Sequence, residues 1–182
     1  MGNIDKTSQE FWRNFKRGRP VEIVPPGPGQ ESVWDYPRPP AIQAVDQRIH
    51  VVFNREVIAE STNSLRVVET AGAPVYYIPP EDIKMGYLHP THHSSFCEWK
   101  GTAKYWNVKV KDRETNNAAW GYPRPESGYE PIAGFLAFYA QKMDACYVGN
   151  ELVTPQPGKF YGGWVTANLV GPIKGESGSE SW

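Results

Sequence analysis

The residues best suited to chemistry crowd into residues 91–125, which hold His92, His93, Cys97, Lys100 and Gly101 together with Trp99, Trp106 and Trp120. A thiolate at Cys97 would be a nucleophile, a histidine upstream its base, and Lys100 a cationic neighbour favouring the charged sulfur. The plainer alternative packs Cys97 as a small apolar residue and leaves both histidines on an exposed loop, since neighbours along a strand point to opposite faces. His89, His92, His93 and Cys97 are also metal-ligand types, but their spacing closes no four-ligand pattern. Glu69, Glu81 and Asp82 have simple surface or capping roles, so no metal is expected. Lys100 beside Gly101 suggests another use: glycine allows close backbone approach, and lysine supplies a point charge for a carboxylate or phosphate. The alternative there is a bulge with a snorkelling lysine. Tyr76, Tyr77, Trp99, Trp120 and Tyr122 are aromatic faces on which a flat ligand would stack, with Arg38 and Arg124 as anion-binding forks. Aromatic residues also build small β cores, and Trp106, which shares a strand face with two valines, reads as core. The candidate site is therefore Cys97 and Lys100 for catalysis, and Tyr76, Tyr77, Trp99, Trp120, Tyr122 and Arg124 for a ligand.

The elements that must position these residues read as strands. From Thr102, the residues Thr102, Lys104, Trp106, Val108 and Val110 fall on one face and Ala103, Tyr105, Asn107, Lys109 and Lys111 on the other, a period of two. The polar run 111–117 then predicts a turn before Ala118, Ala119 and Trp120 resume the pattern. Ile49, Val51 and Phe53, a turn at Asn54-Arg55-Glu56, and residues 57–59 predict a hairpin. Residues 65–68, 75–78, 132–139 and 146–148 are further strand candidates, and Pro80 with Glu81 and Asp82 suits one helical turn. Residues 160–172 read as a segment closing over the sheet. Upstream, Thr7 and Glu10 have capping-box spacing, and Phe11, Trp12 and Phe15 share a helical face before Gly18 and Pro20. The basic residues Arg13, Lys16, Arg17 and Arg19 suit a solvated last turn near the negative helix end. A Pro/Gly linker follows. The predicted organisation is residues 1–30 as helix and linker, 31–175 as one β domain, and 176–182 as a disordered tail.

The bulk numbers agree with an all-β reading. The chain has 182 residues, 40% of them hydrophobic and 13% aromatic, with 17 each of glycine and proline, which favours short strands joined by tight turns. A net charge of −1 gives no field to hold a nucleic acid backbone, so no nucleic acid partner is expected. No apolar run approaches a spanning helix, and the start at Met1-Gly2 fails the myristoylation pattern at Lys6, so the expectation is a soluble cytoplasmic protein with no membrane partner. Cys97 and Cys146 are too few for a disulfide framework.

The motif Trp34-x-Tyr36-Pro37-Arg38-Pro39 recurs as Trp120-x-Tyr122-Pro123-Arg124-Pro125, which points to related hairpin units packed into two facing sheets or an open barrel. With ESVWDYPRPP, VVFNREVIAES, PVYYIPPEDI, Cys97-x-Trp99-Lys100-Gly101, AAWGYPRP and FYGGWVTANLVGP, the sequence resembles the family catalogued as domain of unknown function 427. The resemblance implies an all-β, β-tent-like body of antiparallel hairpins in two facing sheets, with an aromatic-lined pocket. Many β-tent proteins hold zinc through two Cys-x-x-Cys pairs; this chain has none, and no cofactor is expected. The family also carries a nucleotidyltransferase label, which no Gly-Ser pair followed by Asp-x-Asp and no phosphate-cradling loop supports here. The expected function is a binding module for a small planar or anionic metabolite. An enzyme using the same pocket, through Cys97 or nucleotidyl transfer, and a protein-interaction module are the alternatives.

Overall fold

A computed structural model describes residues 6–182; the Met1-Gly2 start lies outside the described residues. Helix α1 (Lys6–Asn14) carries Thr7 inside it, not ahead of it as capping-box spacing predicts. Then come β1 (Glu31–Ser32), β2 (Ala41–Ala44), β3 (Ile49–Phe53), β4 (Glu56–Ser61), β5 (Leu65–Val68) and β6 (Val75–Tyr77). The long strands β7 (Leu88–Cys97), β8 (Gly101–Val110) and β9 (Arg113–Gly121) form the centre. The short strands β10 (Leu136–Phe138), β11 (Ala145–Val148), β12 (Glu151–Leu152), β13 (Thr154–Pro155), β14 (Trp164–Val165) and β15 (Leu169–Val170) complete the chain.

The protein is all-β apart from α1 and single helical turns. Among the described residues the strands form five sheets where two facing ones are expected: β10-β9-β8-β7, β12-β11-β3-β4, β2-β5-β6, and the pairs β13-β14 and β1-β15, of which β1-β15 alone is parallel. Reciprocal main-chain bonds between Ile78 and Leu136 (2.8 and 2.9 Å) join the three-stranded sheet to the central one.

Along β8 the period of two holds throughout: Ala103 and Tyr105 face one way, and Trp106, Val108 and Val110 the other. What changes is which face is covered. At the start of the strand Ala103 and Tyr105 pack with Tyr77, Trp120 and Tyr122; further on, Val108 and Val110 pack with Phe53, Ile58 and Phe138. Two bulges flank the crossover. In β7 the pairing jumps from Pro90↔Trp106 to Ser94↔Lys104, leaving Thr91, His92 and His93 opposite Tyr105. In β9 it jumps from Ala119↔Trp106 to Thr115↔Val108, with Asn117 at a left-handed φ of 46°. The Thr91 hydroxyl ties the bulges together, reaching the Tyr105 carbonyl (3.2 Å) and Asn117 Oδ1 (2.9 Å).

Two sequence expectations change. The turn expected over residues 111–117 shrinks to Lys111-Asp112, with Lys111 at φ 55°, and the polar residues after it continue β9, whose far end faces solvent. The strand expected over 132–139 is cut to β10, because Gly134 at φ 77° turns the chain after a helical turn at Glu130–Ile132. At the C-terminal end Trp182 lies edge-on to Trp34 at 5.5 Å, and the Gly18 N–H is bonded to the Ser181 carbonyl (2.6 Å). The predicted hairpin forms, with Glu56 already in β4 and the turn reduced to Asn54-Arg55; both residues take positive φ (48° and 65°), as in a type I′ hairpin turn.

Gly121, at the end of β9, lies where a Cβ would come within 2.3 Å of the Phe135 carbonyl oxygen. Backbone cannot yield as a flexible side chain can, so Gly121→Ala is expected to lower the unfolding free energy by about 1–3 kcal/mol in denaturant melts. Gly86→Ala, which meets nothing within 4 Å, should be neutral or slightly stabilising.

Candidate functional site

The turn between β7 and β8 sends three consecutive side chains in three directions. It is a three-residue loop closed by Gly101 at φ 87°, a conformation that glycine adopts without strain. Glu98 points towards the N-terminal segment: its carboxylate pairs with Arg17 (3.4 Å) and Arg38 (3.0 Å), and its carbonyl accepts from Gln9 Nε2 (3.0 Å) and Arg13 Nε (2.7 Å). Trp99 lies between the Arg13 and Arg38 guanidiniums, each 5.4 Å from its ring centroid, and its buried Nε1 has no hydrogen-bond partner. Lys100 points into a cleft of about 290 Å³.

The walls of the cleft are the aromatic faces that β6, β8 and β9 turn towards each other. Tyr77 meets Trp120 edge-on (centroids 6.5 Å apart) and Tyr122 at a tilt (6.4 Å), and Trp120 lies 4.3 Å from Tyr139. Tyr105, paired with Trp120 across the β8–β9 ladder, adds its phenol, 2.7 Å from the Ser95 hydroxyl. Gly162 closes one side, so near Trp120 that a Cβ there would stand 2.1 Å from the indole. Burial pushes the Tyr77 phenol up to about 12 and Tyr122 well above the usual range, so both are neutral hydroxyls at physiological pH.

Lys100 Nζ lies 5.8 Å from the centroid of the Tyr122 ring, and among the described residues no carboxylate pairs with it and no acceptor takes its protons. Burial works against its charge, but the surrounding Cys97, Tyr77, Glu69 and Tyr129 outweigh that and raise its pKa. It is a cation in a largely aromatic setting.

Of the residues singled out in the sequence, Cys97, Lys100, Tyr77, Trp120 and Tyr122 line this cleft together. Tyr76, Trp99 and Arg124 do not. Tyr76 follows strand alternation to the other face, where it stacks on Trp164 at 5.2 Å. Trp99 is held outside the cleft by its two arginines, and Arg124 is exposed beyond the end of β9. Its counterpart in the other copy of the motif, Arg38, does line the cleft and bridges Glu69 and Glu98. Sequence reading missed Tyr139, Lys174 and Tyr105 as lining residues; pairing β8 with β9 in register would have found Tyr105 opposite Trp120, whereas no local signal marks Lys174.

The half-buried Cys97 thiol lies 3.9 Å from Glu98 Oε2, while Cys146 is buried in the core and burial pushes its thiol up. His92 and His93 stand exposed in the β7 bulge, away from Cys97 at the strand's end, and the His93 ring meets Tyr105 at 4.5 Å. Among the described residues no three His, Cys, Asp or Glu side chains gather as metal ligands, and no helix is long and apolar enough to cross a membrane.

Residues 41–149 match the family model described as Domain of unknown function (DUF427). The chain belongs to the DUF427 family. A search of curated proteins found no match. The matched segment carries the floor and most of the aromatic wall of this DUF427 cleft, including Lys100, Tyr77, Trp120 and Tyr122. Arg17, Arg38, Gly162 and Lys174 come from the flanking segments.

Arg38 ties the two sides of the cleft entrance, and it is mostly enclosed, with 18% of its side chain exposed. Removing it leaves Glu69 and Glu98 short of a partner. Arg38→Met should cost about 2 kcal/mol in denaturant unfolding, less than a fully buried pair because both carboxylates keep some water. Arg38→Lys should recover little of this, since an ammonium cannot bridge two carboxylates and stack on Trp99 at once.

Proposed function

We propose that this DUF427 domain binds a small planar anion, with the ring between the aromatic walls of Tyr77, Trp120 and Tyr122 and the negative group on Lys100. One observation carries this reading: the Lys100 ammonium sits inside the cleft without a carboxylate or acceptor among the described residues. A half-buried cation without a partner has lost part of its hydration with nothing to replace it, and a ligand carboxylate supplies both the countercharge and the missing acceptor. The neutral phenols around it add donors without adding negative charge. A cleft of about 290 Å³ is near the lower bound for small-molecule sites, which suits a ligand of one or two rings.

A second reading is supported by Cys97, which lines the same cleft as Lys100 and is open to it: an enzyme that attacks the bound molecule through the thiol. Nucleotidyl transfer fits the lining less well. Its two acidic side chains, Glu69 and Glu98, are both engaged by arginine, so neither is free to hold a metal-bound triphosphate.

Calorimetric titration and thermal unfolding with benzoate, indole-carboxylate and their uncharged amides test the binding reading. A carboxylate at about a hundred times its Kd should add roughly 2.7 kcal/mol to the folded state and raise the midpoint by several degrees, while the amide does much less. Lys100→Met should abolish the difference between acid and amide. If acids and amides bind alike, or none binds, the reading is wrong. If Cys97→Ser removes turnover of a bound compound while leaving its affinity intact, the enzyme reading takes its place.

A further inference from the structure

Apart from Lys100, the cleft holds a group of hydroxyls. Lys100 stands in the turn before β8, and the group comes from further along the ladder: Ser95 in β7, Tyr105 in β8 and Tyr139 just after β10, all in the cleft lining. Ser95 pairs with Ala103, so Tyr105 is its diagonal neighbour on the same face, and the two hydroxyls meet at 2.7 Å. The Tyr139 phenol lies beside that of Tyr105; burial first, and Tyr105 second, push its pKa up. The aromatic walls lead from Lys100 to this group. Lys100 lies over Tyr122, Tyr122 beside Tyr77, Tyr77 against Trp120, and Trp120 is 4.3 Å from Tyr139.

Hydrogen bonding leaves the group open. Each hydroxyl brings one proton and two lone pairs, so a chain of them keeps a proton and several lone pairs to spare, and no carbonyl or other side chain among the described residues takes these up. A ligand hydroxyl matches such a chain, because it can donate or accept whichever way the chain is oriented. A second carboxylate would lack a countercharge there. Lys142, whose ammonium lies 5.2 Å from the Tyr139 ring centroid, is outside the cleft lining and donates to the Asn116 and Asn117 carbonyls (2.8 and 3.1 Å). Arg17, Arg38 and Lys174 are engaged by Glu69, Glu98 and Trp182. We infer that the cleft selects a hydroxylated aromatic carboxylate, with its acid group on Lys100 and a ring hydroxyl joined to the Ser95, Tyr105 and Tyr139 hydroxyls. This rests on the proposed function and names its ligand class.

Tyr105 is the centre of the group, with Ser95 on one side and Tyr139 on the other, so its hydroxyl sets where the other two can point. Its ring is buried and held by the ladder opposite Trp120, with the His93 ring edge-on at 4.5 Å. Phenylalanine fills the same space, so the hydroxyl can be removed without opening a cavity in the wall. A hydrogen bond made in a largely dry cleft is worth a few-fold to about tenfold in affinity, which is the size of the selectivity expected.

Calorimetry at pH 7 with benzoate and with 2-, 3- and 4-hydroxybenzoate reads this directly. At least one hydroxybenzoate is expected to bind a few-fold to about tenfold tighter than benzoate, and the isomer that wins gives the span from Lys100 to the hydroxyl group. Tyr105→Phe should bring the hydroxybenzoate-to-benzoate ratio close to one and leave benzoate affinity unchanged. Lys100→Met should do the opposite, weakening all the acids while the ratio is kept. Thermal unfolding without ligand checks that each variant is folded, and Tyr139→Phe takes the place of Tyr105→Phe if the latter is not. If benzoate binds but no hydroxybenzoate exceeds it, or if the folded phenylalanine variant keeps the ratio, the hydroxyl group is not a ligand contact while the proposed function stands. If neither benzoate nor any hydroxybenzoate binds, both fall.

Discussion

Glu98 is the acceptor on which the placement of the N-terminal helix and the entrance of the cleft depends. Its carboxylate takes Arg17 and Arg38, and its carbonyl takes Gln9 and Arg13. Gln9 and Arg13 are four residues apart on α1 and so share one side of it, turned towards Glu98, while Arg17 reaches the same carboxylate from the chain just past the end of the helix. The consequence is inverted amphipathicity. Phe11, Trp12 and Phe15 stay 58%, 48% and 40% exposed and cover one another instead of the core. A nine-residue helix is too short to be stable by itself, so charge-assisted hydrogen bonds to one turn fix where it lies.

That turn can serve the cleft because β8 belongs to two cores at once. A strand with one covered face needs a single alternation of apolar and polar residues. β8 instead exchanges its covered face halfway, between Tyr105 and Trp106, and keeps its parity while doing so. The bulges in β7 and β9 on either side add residues in pairs, which leaves side-chain direction unchanged and bends the ladder. The central sheet therefore closes an aliphatic core with β3, β4 and β11 at one end and faces β5 and β6 with tyrosine and tryptophan at the other.

The fold class and the sharpest part of the site were legible in the sequence because they rest on local rules. Alternation gave the faces of β8 correctly, and the mixture of Lys100, Gly101 and aromatic residues at one hairpin marked the cleft floor. What local rules cannot give is which of two adjacent tyrosines faces the cleft. Tyr76 and Tyr77 are chemically alike, and only the register of β6 against β5 and the Ile78–Leu136 bridge decides that Tyr77 faces Trp120. The repeated Trp-x-Tyr-Pro-Arg-Pro motif is a sharper case. Identical residues end in different surroundings: Trp34 donates to the Pro172 carbonyl (2.8 Å) and Arg38 bridges two glutamates, while Trp120 forms a cleft wall and Arg124 is left in solvent. A motif copies local geometry; its partners come from elsewhere in the chain.

Arg17, Arg38, Lys100 and Lys174 line one small cleft with Glu69 and Glu98, and burial works against the charge of both lysines. Lys100 and Lys174 resolve the problem differently. Lys100 keeps its charge: burial opposes it, yet its pKa stays above the ordinary lysine value. Lys174 yields instead: burial and the two arginines bring its amine down to about 8, within reach of physiological pH. The sign of the stability effect follows. Between pH 8 and the ordinary lysine pKa of about 10.4 the unfolded chain binds more protons than the folded one, so stability rises as pH increases through this window.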